Sequence, residues 1–135
     1  MRKTKLIILL PLFLLLIITS FACAKRGGIL TSDDVNSKIN HELLTNKEIG
    51  DFQLINASMN IIDGTTTFTV TLVNSGKKDL YVEKVLFNFY DSNGQVTTLT
   101  GFVSDIIEPN DVKILSASHY TDLGDSVSLK YEIVK

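Results

Sequence analysis

Hydrophobic positions along the 135 residues change their period twice after an initial apolar run. The run covers 6–18, is interrupted only by Pro11, and follows Arg2, Lys3 and Lys5. A stretch of that length behind positive charges matches the hydrophobic segment of a secretory signal and is short for the ~20 residues that a bilayer span needs. Next, Val35, Ile39 and Leu43 recur every four residues, with Thr31 and Asp34 spaced as a capping box, which predicts a short helix over 31–45. The surrounding stretch 25–50 is polar, begins Lys25-Arg26-Gly27-Gly28 and holds no aromatic residue, the composition of a tether.

From Phe52 the period is two. Phe68, Val70 and Leu72 alternate with Thr67, Thr69 and Thr71. Val85, Phe87 and Phe89 alternate with Leu86, Asn88 and Tyr90, and Val127, Leu129, Tyr131 and Ile133 with Ser128, Lys130 and Glu132. Each run predicts a strand with one buried face. Weaker strands are expected over 52–61, 95–103 and 112–118. Turn residues separate them at Asp63-Gly64, at Asn74-Ser75-Gly76-Lys77, at Asp91-Ser92-Asn93-Gly94, at Pro109-Asn110-Asp111 and at Leu123-Gly124-Asp125. The predicted fold class is all-β. It is an immunoglobulin-like antiparallel sandwich of six or seven strands over 51–135, preceded by an N-terminal signal or anchor helix in 1–24 and the polar linker 25–50. There is no internal repeat.

Composition sharpens this picture in two places. From residue 25 onward 10 Lys and Arg stand against 15 Asp and Glu, a net charge of −5. Nucleic acid is therefore excluded as a partner, because a phosphate polyanion needs a clustered basic surface. The chain has one cysteine, Cys23, at the end of the apolar segment, so no intramolecular disulfide forms and the domain relies on its apolar core. Ser20-Phe21-Ala22-Cys23 resembles a bacterial lipobox, with Ser20 where an aliphatic residue is usual, and Ala22-Cys23-Ala24 also fits an ordinary signal-peptidase site. Three outcomes stay open: lipidation at Cys23, release after Ala24, or an uncleaved anchor over 6–24 with Lys3 and Lys5 held inside.

Phe87-Asn88-Phe89-Tyr90-Asp91 resembles the Phe-x-Leu-Tyr-Asp signature of the FxLYD domains, small β-sandwiches of exported bacterial and archaeal proteins, with Phe89 in the place of the leucine. The order of a strand ending Leu72-Val73-Asn74, a Ser-Gly turn, the signature strand, a Gly-containing turn and a late Pro is similar too, across 52–135. A related resemblance is to the telokin-like immunoglobulin-fold domains of bacterial lipoproteins. Either implies an architecture and an exported setting, and no catalytic residue. Read from the residues themselves, Phe87 and Phe89 share one strand face and bury their rings. Tyr90 turns its hydroxyl to the other face, and the Asp91 carboxylate accepts backbone N–H groups of the turn that it opens.

Other candidate chemistry is sparse. Asp91-Ser92-Asn93-Gly94 has the start of a calcium loop, but the twelfth position is Phe102 where a bidentate Glu is required. His41 and His119 have no metal-ligand spacing. His119, Tyr120 and Asp122 fall in one late loop without a nucleophile elbow. Asn56-Ala57-Ser58 carries the glycosylation pattern, and the threonine-rich strands present solvated hydroxyl faces. The expectation is a non-enzymatic interaction module without metal or cofactor, held by Cys23 lipid or by its N-terminal segment at the outer face of a bacterial cell membrane, or secreted. Its expected partners are the membrane and an envelope protein or wall component. The alternatives are a ligand-binding or hydrolytic domain using the His119 loop, and a structural spacer.

Overall fold

Alternation of apolar and polar residues resolves into seven strands, and the computed structural model describes residues 39–135. After a 3-10 helix at His41–Leu44 come β1 (Lys47–Ile49), β2 (Phe52–Ile62), β3 (Thr65–Asn74), β4 (Leu80–Tyr90), β5 (Val96–Ile107), β6 (Val112–His119) and β7 (Ser128–Val134). They form two sheets, β1-β2-β3-β6 and β5-β4-β7, with every pairing antiparallel. The expected signal or anchor helix, Cys23 and the start of the expected 31–45 helix lie outside the described residues. No helix among the described residues is long and apolar enough to cross a membrane.

Two hairpins show why the turn residues stand where they do. Asp63 and Gly64 have φ of 50° and 74° and join Ile62 to its partner Thr65, so both central residues take the left-handed conformation that a two-residue hairpin requires. The β4–β5 connection is held from within. The Asp91 carboxylate accepts the N–H groups of Asn93 and Gln95, both at 2.9 Å, while the Gly94 N–H donates to the Asp91 carbonyl at 3.1 Å.

The inward side chains meet between the sheets. Phe52, Leu54, Met59, Ile61, Phe68, Val70, Leu72 and Leu115 come from one sheet, and Val82, Val85, Phe87, Phe89, Leu99, Ile107 and Leu129 from the other. The aromatic centre is Phe68, whose ring lies 5.0 Å from Phe87 and 5.3 Å from Phe89, both edge-on. In β3 the inward stripe is Thr66, Phe68, Val70, Leu72 and Asn74, all fully buried, so a polar residue closes each end.

The two flanks of the sandwich are closed by different means. On one, β5 approaches β6 at Gly101, where a Cβ would sit 2.9 Å from the Phe87 ring and 3.1 Å from Leu115 Cβ. An ion pair of 2.7 Å from Lys113 on β6 to Asp105 on β5 crosses the same gap. On the other flank, Leu43 is buried in the core from the 3-10 helix, which packs beside β2 and β7, and Ile39 is buried in the same core. Thus the described part of the stretch read as a tether contributes two core residues, a 3-10 helix capped by the Asn40 side chain, and the short strand β1.

Candidate functional site

The residues singled out by the sequence fall into two surroundings. Phe87 and Phe89 are buried in the core, and Tyr131 completes their cluster with its ring 5.8 Å from Phe87 and perpendicular to it. Tyr90, the next residue along β4, turns outward, where Lys130 Nζ stands 5.3 Å from its ring centre. Asp91 leaves the strand at the end of the sandwich and lines a groove there.

That groove, of about 630 Å³, is formed where the 91–97 segment meets the 121–126 loop. Apolar side chains of Phe89, Val96 and Leu123 share its lining with the carboxylates of Asp91, Asp122 and Asp125. Thr66 holds the second loop in place from below. Its buried hydroxyl donates to the Thr121 carbonyl at 2.7 Å and accepts the Leu123 N–H at 2.9 Å. Asp122 in turn accepts the Gly124 N–H at 2.8 Å. Two of the three carboxylates therefore organise the backbone that carries them. Among the described residues no group of three or more His, Cys, Asp or Glu is arranged to hold a metal ion.

His119 ends β6, opposite Thr66 in the ladder, instead of lying in a loop. Its Nδ1 is buried and has no hydrogen-bond partner. An imidazole that acts as base through Nε2 is oriented by a carboxylate or carbonyl at Nδ1, and Asp122 does not supply one. Tyr120 beside it is 95% exposed. His41 is exposed on the 3-10 helix, and Phe102, at the twelfth position of the calcium pattern, sits in mid-strand. Asn56 is exposed with φ of 54° in a bulge of β2. Cys23 lies outside the described residues.

Two polar groups that sequence reading passes over are more informative. Asn74, read as a turn residue, is fully buried at the other end of β3. Its Nδ2 donates to the carbonyls of Lys78 at 2.7 Å and Ile107 at 2.8 Å, and its Oδ1 accepts the Gly76 N–H at 2.9 Å. Its backbone exchanges two further bonds with Asn110 and Asp111. The Tyr131 hydroxyl is buried with no partner, and burial pushes its pKa above the ordinary value. An isolated polar residue in an apolar alternation was the available signal for Asn74. Tyr131 gave none, because it stands where the stripe requires a large side chain.

No protein-family model matches the chain, and no curated protein matches it. Among solved structures it is similar to a DUF1425 family member from Shewanella sp. pv-4, at 12% identity and a TM-score of 0.43, over 67% of this chain and 86% of that one.

Proposed function

We propose that the protein is an exported, lipid-anchored component of a bacterial cell envelope and that its sandwich is a non-enzymatic interaction module of the FxLYD, immunoglobulin-like type. The anchor reading rests on the 6–18 apolar run that ends at Cys23. The family reading rests on Phe87, Phe89, Tyr90 and Asp91, which do the work of a folding signature: two buried rings, an outward ring and a turn-organising carboxylate. Four strands against three is also the division of a constant-type immunoglobulin domain. Here consecutive strands β2 and β3 are paired, where that fold sets its second strand beside its fifth.

The observation that carries the non-enzymatic reading is the unpartnered Nδ1 of His119. The hydrolytic alternative needs that imidazole as a base, and its orienting hydrogen bond is missing while the nearby Asp122 is engaged by its own loop. The anchor is tested by the intact mass of the protein from its native host. A diacyl or triacyl mass on a chain starting at Cys23 supports it, and a chain starting at Lys25 or an unprocessed Met1 chain overturns it. Crosslinking in native envelopes tests the module. A reproducible partner is expected, and its absence would make the domain a spacer.

A further inference from the structure

We propose that the outer face of the β5-β4-β7 sheet docks on the surface of a lipid bilayer through Phe102, Ile106 and Tyr81. The inference rests on the reading that the N-terminal segment holds this chain at a membrane. On β5 the residues Gly101, Val103 and Ile107 turn toward the core, which sets Phe102 and Ile106 on the opposite face. Phe102 is 77% exposed and Ile106 56%, and Tyr81, directly across from Ile106 on β4, is 49% exposed. A phenyl ring this open on a sheet face gives up apolar area to water that an interface would recover.

The kind of surface follows from the neighbours and from the tether. Lys84 is the cross-strand partner of Phe102, and its Nζ lies 3.7 Å from the Glu83 carboxylate, so a long apolar stem beside the patch carries a charged head at its margin, as a lysine does at a lipid headgroup layer. Tyrosine likewise suits a boundary that is apolar on one side and wet on the other. Around the patch Lys77, Lys78, Lys84 and Lys113 balance Asp79, Glu83, Asp105 and Glu108, with Asp105 paired to Lys113 at 2.7 Å, and the carboxylates of Asp91, Asp122 and Asp125 lie at the other end of the strands, away from it. Fifteen residues, 24–38, separate Cys23 from Ile39. Fully extended they reach at most about 50 Å, so an anchored domain stays within touching range of the bilayer at a high effective concentration.

The chain has no tryptophan, so a single indole reports without background. Full-length chain carrying F102W, and separately I114W as a control at a 74% exposed position on the outer face of the other sheet, is reconstituted in mixed phosphatidylcholine–phosphatidylglycerol vesicles. The expected result is that F102W loses most of its emission to brominated phosphatidylcholine and is shielded from aqueous iodide, whereas I114W shows the reverse. Equal access of iodide to both indoles overturns the docking. So does shielding of F102W that grows with protein-to-lipid ratio and is indifferent to brominated lipid, which assigns the face to a second copy. Both results leave the tether standing. If the chain does not float with the vesicles at all, the tether and the docking fail together.

Discussion

At the scale of single residues, the buried polar groups decide more than the apolar ones, because each has a defined set of partners to lose. Asn74 makes three side-chain hydrogen bonds, to backbone groups of the 76–78 turn and of the end of β5, and the Ile107 carbonyl among them is buried away from solvent. N74A is expected to cost about 3 kcal/mol in denaturant unfolding, since stranded buried carbonyls and N–H groups cost about 1–3 kcal/mol each before the loops relax. A loss below about 1 kcal/mol would mean that water replaces the amide. Tyr131 is the opposite case, a buried hydroxyl that satisfies nothing. Y131F removes that group and keeps the ring beside Phe68 and Phe87, so stability at neutral pH is expected to stay level or rise by about 1 kcal/mol. The titration has a definite sign. Burial raises the folded pKa of Tyr131 above its ordinary 10.0, so its contribution is complete below pH 10 and is lost as pH rises through the folded value. Thermal melts of the two proteins across that range should diverge, with wild type falling more steeply than Y131F, in which the Lys113–Asp105 pair still titrates; parallel curves would show that the phenol is solvated.

At the scale of elements, the strands were legible because a half-buried strand must alternate. The long runs in β3, β4 and β7 leave no other period to choose. What escaped has physical reasons too. β1 is three residues, Lys47-Glu48-Ile49, too short for a period to show, and it exists only because β2 offers it a partner. Ile39 and Leu43 are four apart, which reads as helix, yet among the described residues only His41–Leu44 is helical, as one 3-10 turn. Its purpose is to deliver Leu43 into the open flank beside β7, where burial supplies the stability that so short a helix lacks. L43A is accordingly expected to cost about 2–4 kcal/mol, in the range of core leucines and far beyond that of a residue in a flexible stalk. An unchanged melting temperature would return residues 39–44 to the tether. The groove at the end of the sandwich was illegible for a different reason. Its walls, 91–97 and 121–126, are remote in sequence and meet only because Tyr90 and Ser128 are cross-strand neighbours.

At the scale of the whole molecule, one strand connects the two ends. β3 lies inside its sheet between β2 and β6, and its inward stripe starts at Thr66 and finishes at Asn74, with the Phe68 cluster between them. Thr66 pins the 121–123 backbone at the groove end, and Asn74 ties the 76–78 turn to Ile107 at the other. Eight residues of strand separate the two clamps by about 27 Å, beyond the distance at which packed neighbours couple. The close-packed stretch between them can nonetheless transmit strain if the sandwich behaves as one cooperative body. T66V keeps the shape of the side chain and removes both hydrogen bonds, with an expected cost of about 2 kcal/mol. If each clamp secures only its own loops, the T66V/N74A double variant loses the sum of the two single losses to within about 0.5 kcal/mol. Amide exchange should then accelerate in 121–124 for T66V and in 75–79 with 107–111 for N74A, without crossing over. A deviation above about 1 kcal/mol, or faster exchange at the groove in N74A, would show that the ends communicate through the Phe68 cluster. The groove between 91–97 and 121–126 and the face that carries Phe102 would then belong to one mechanical unit.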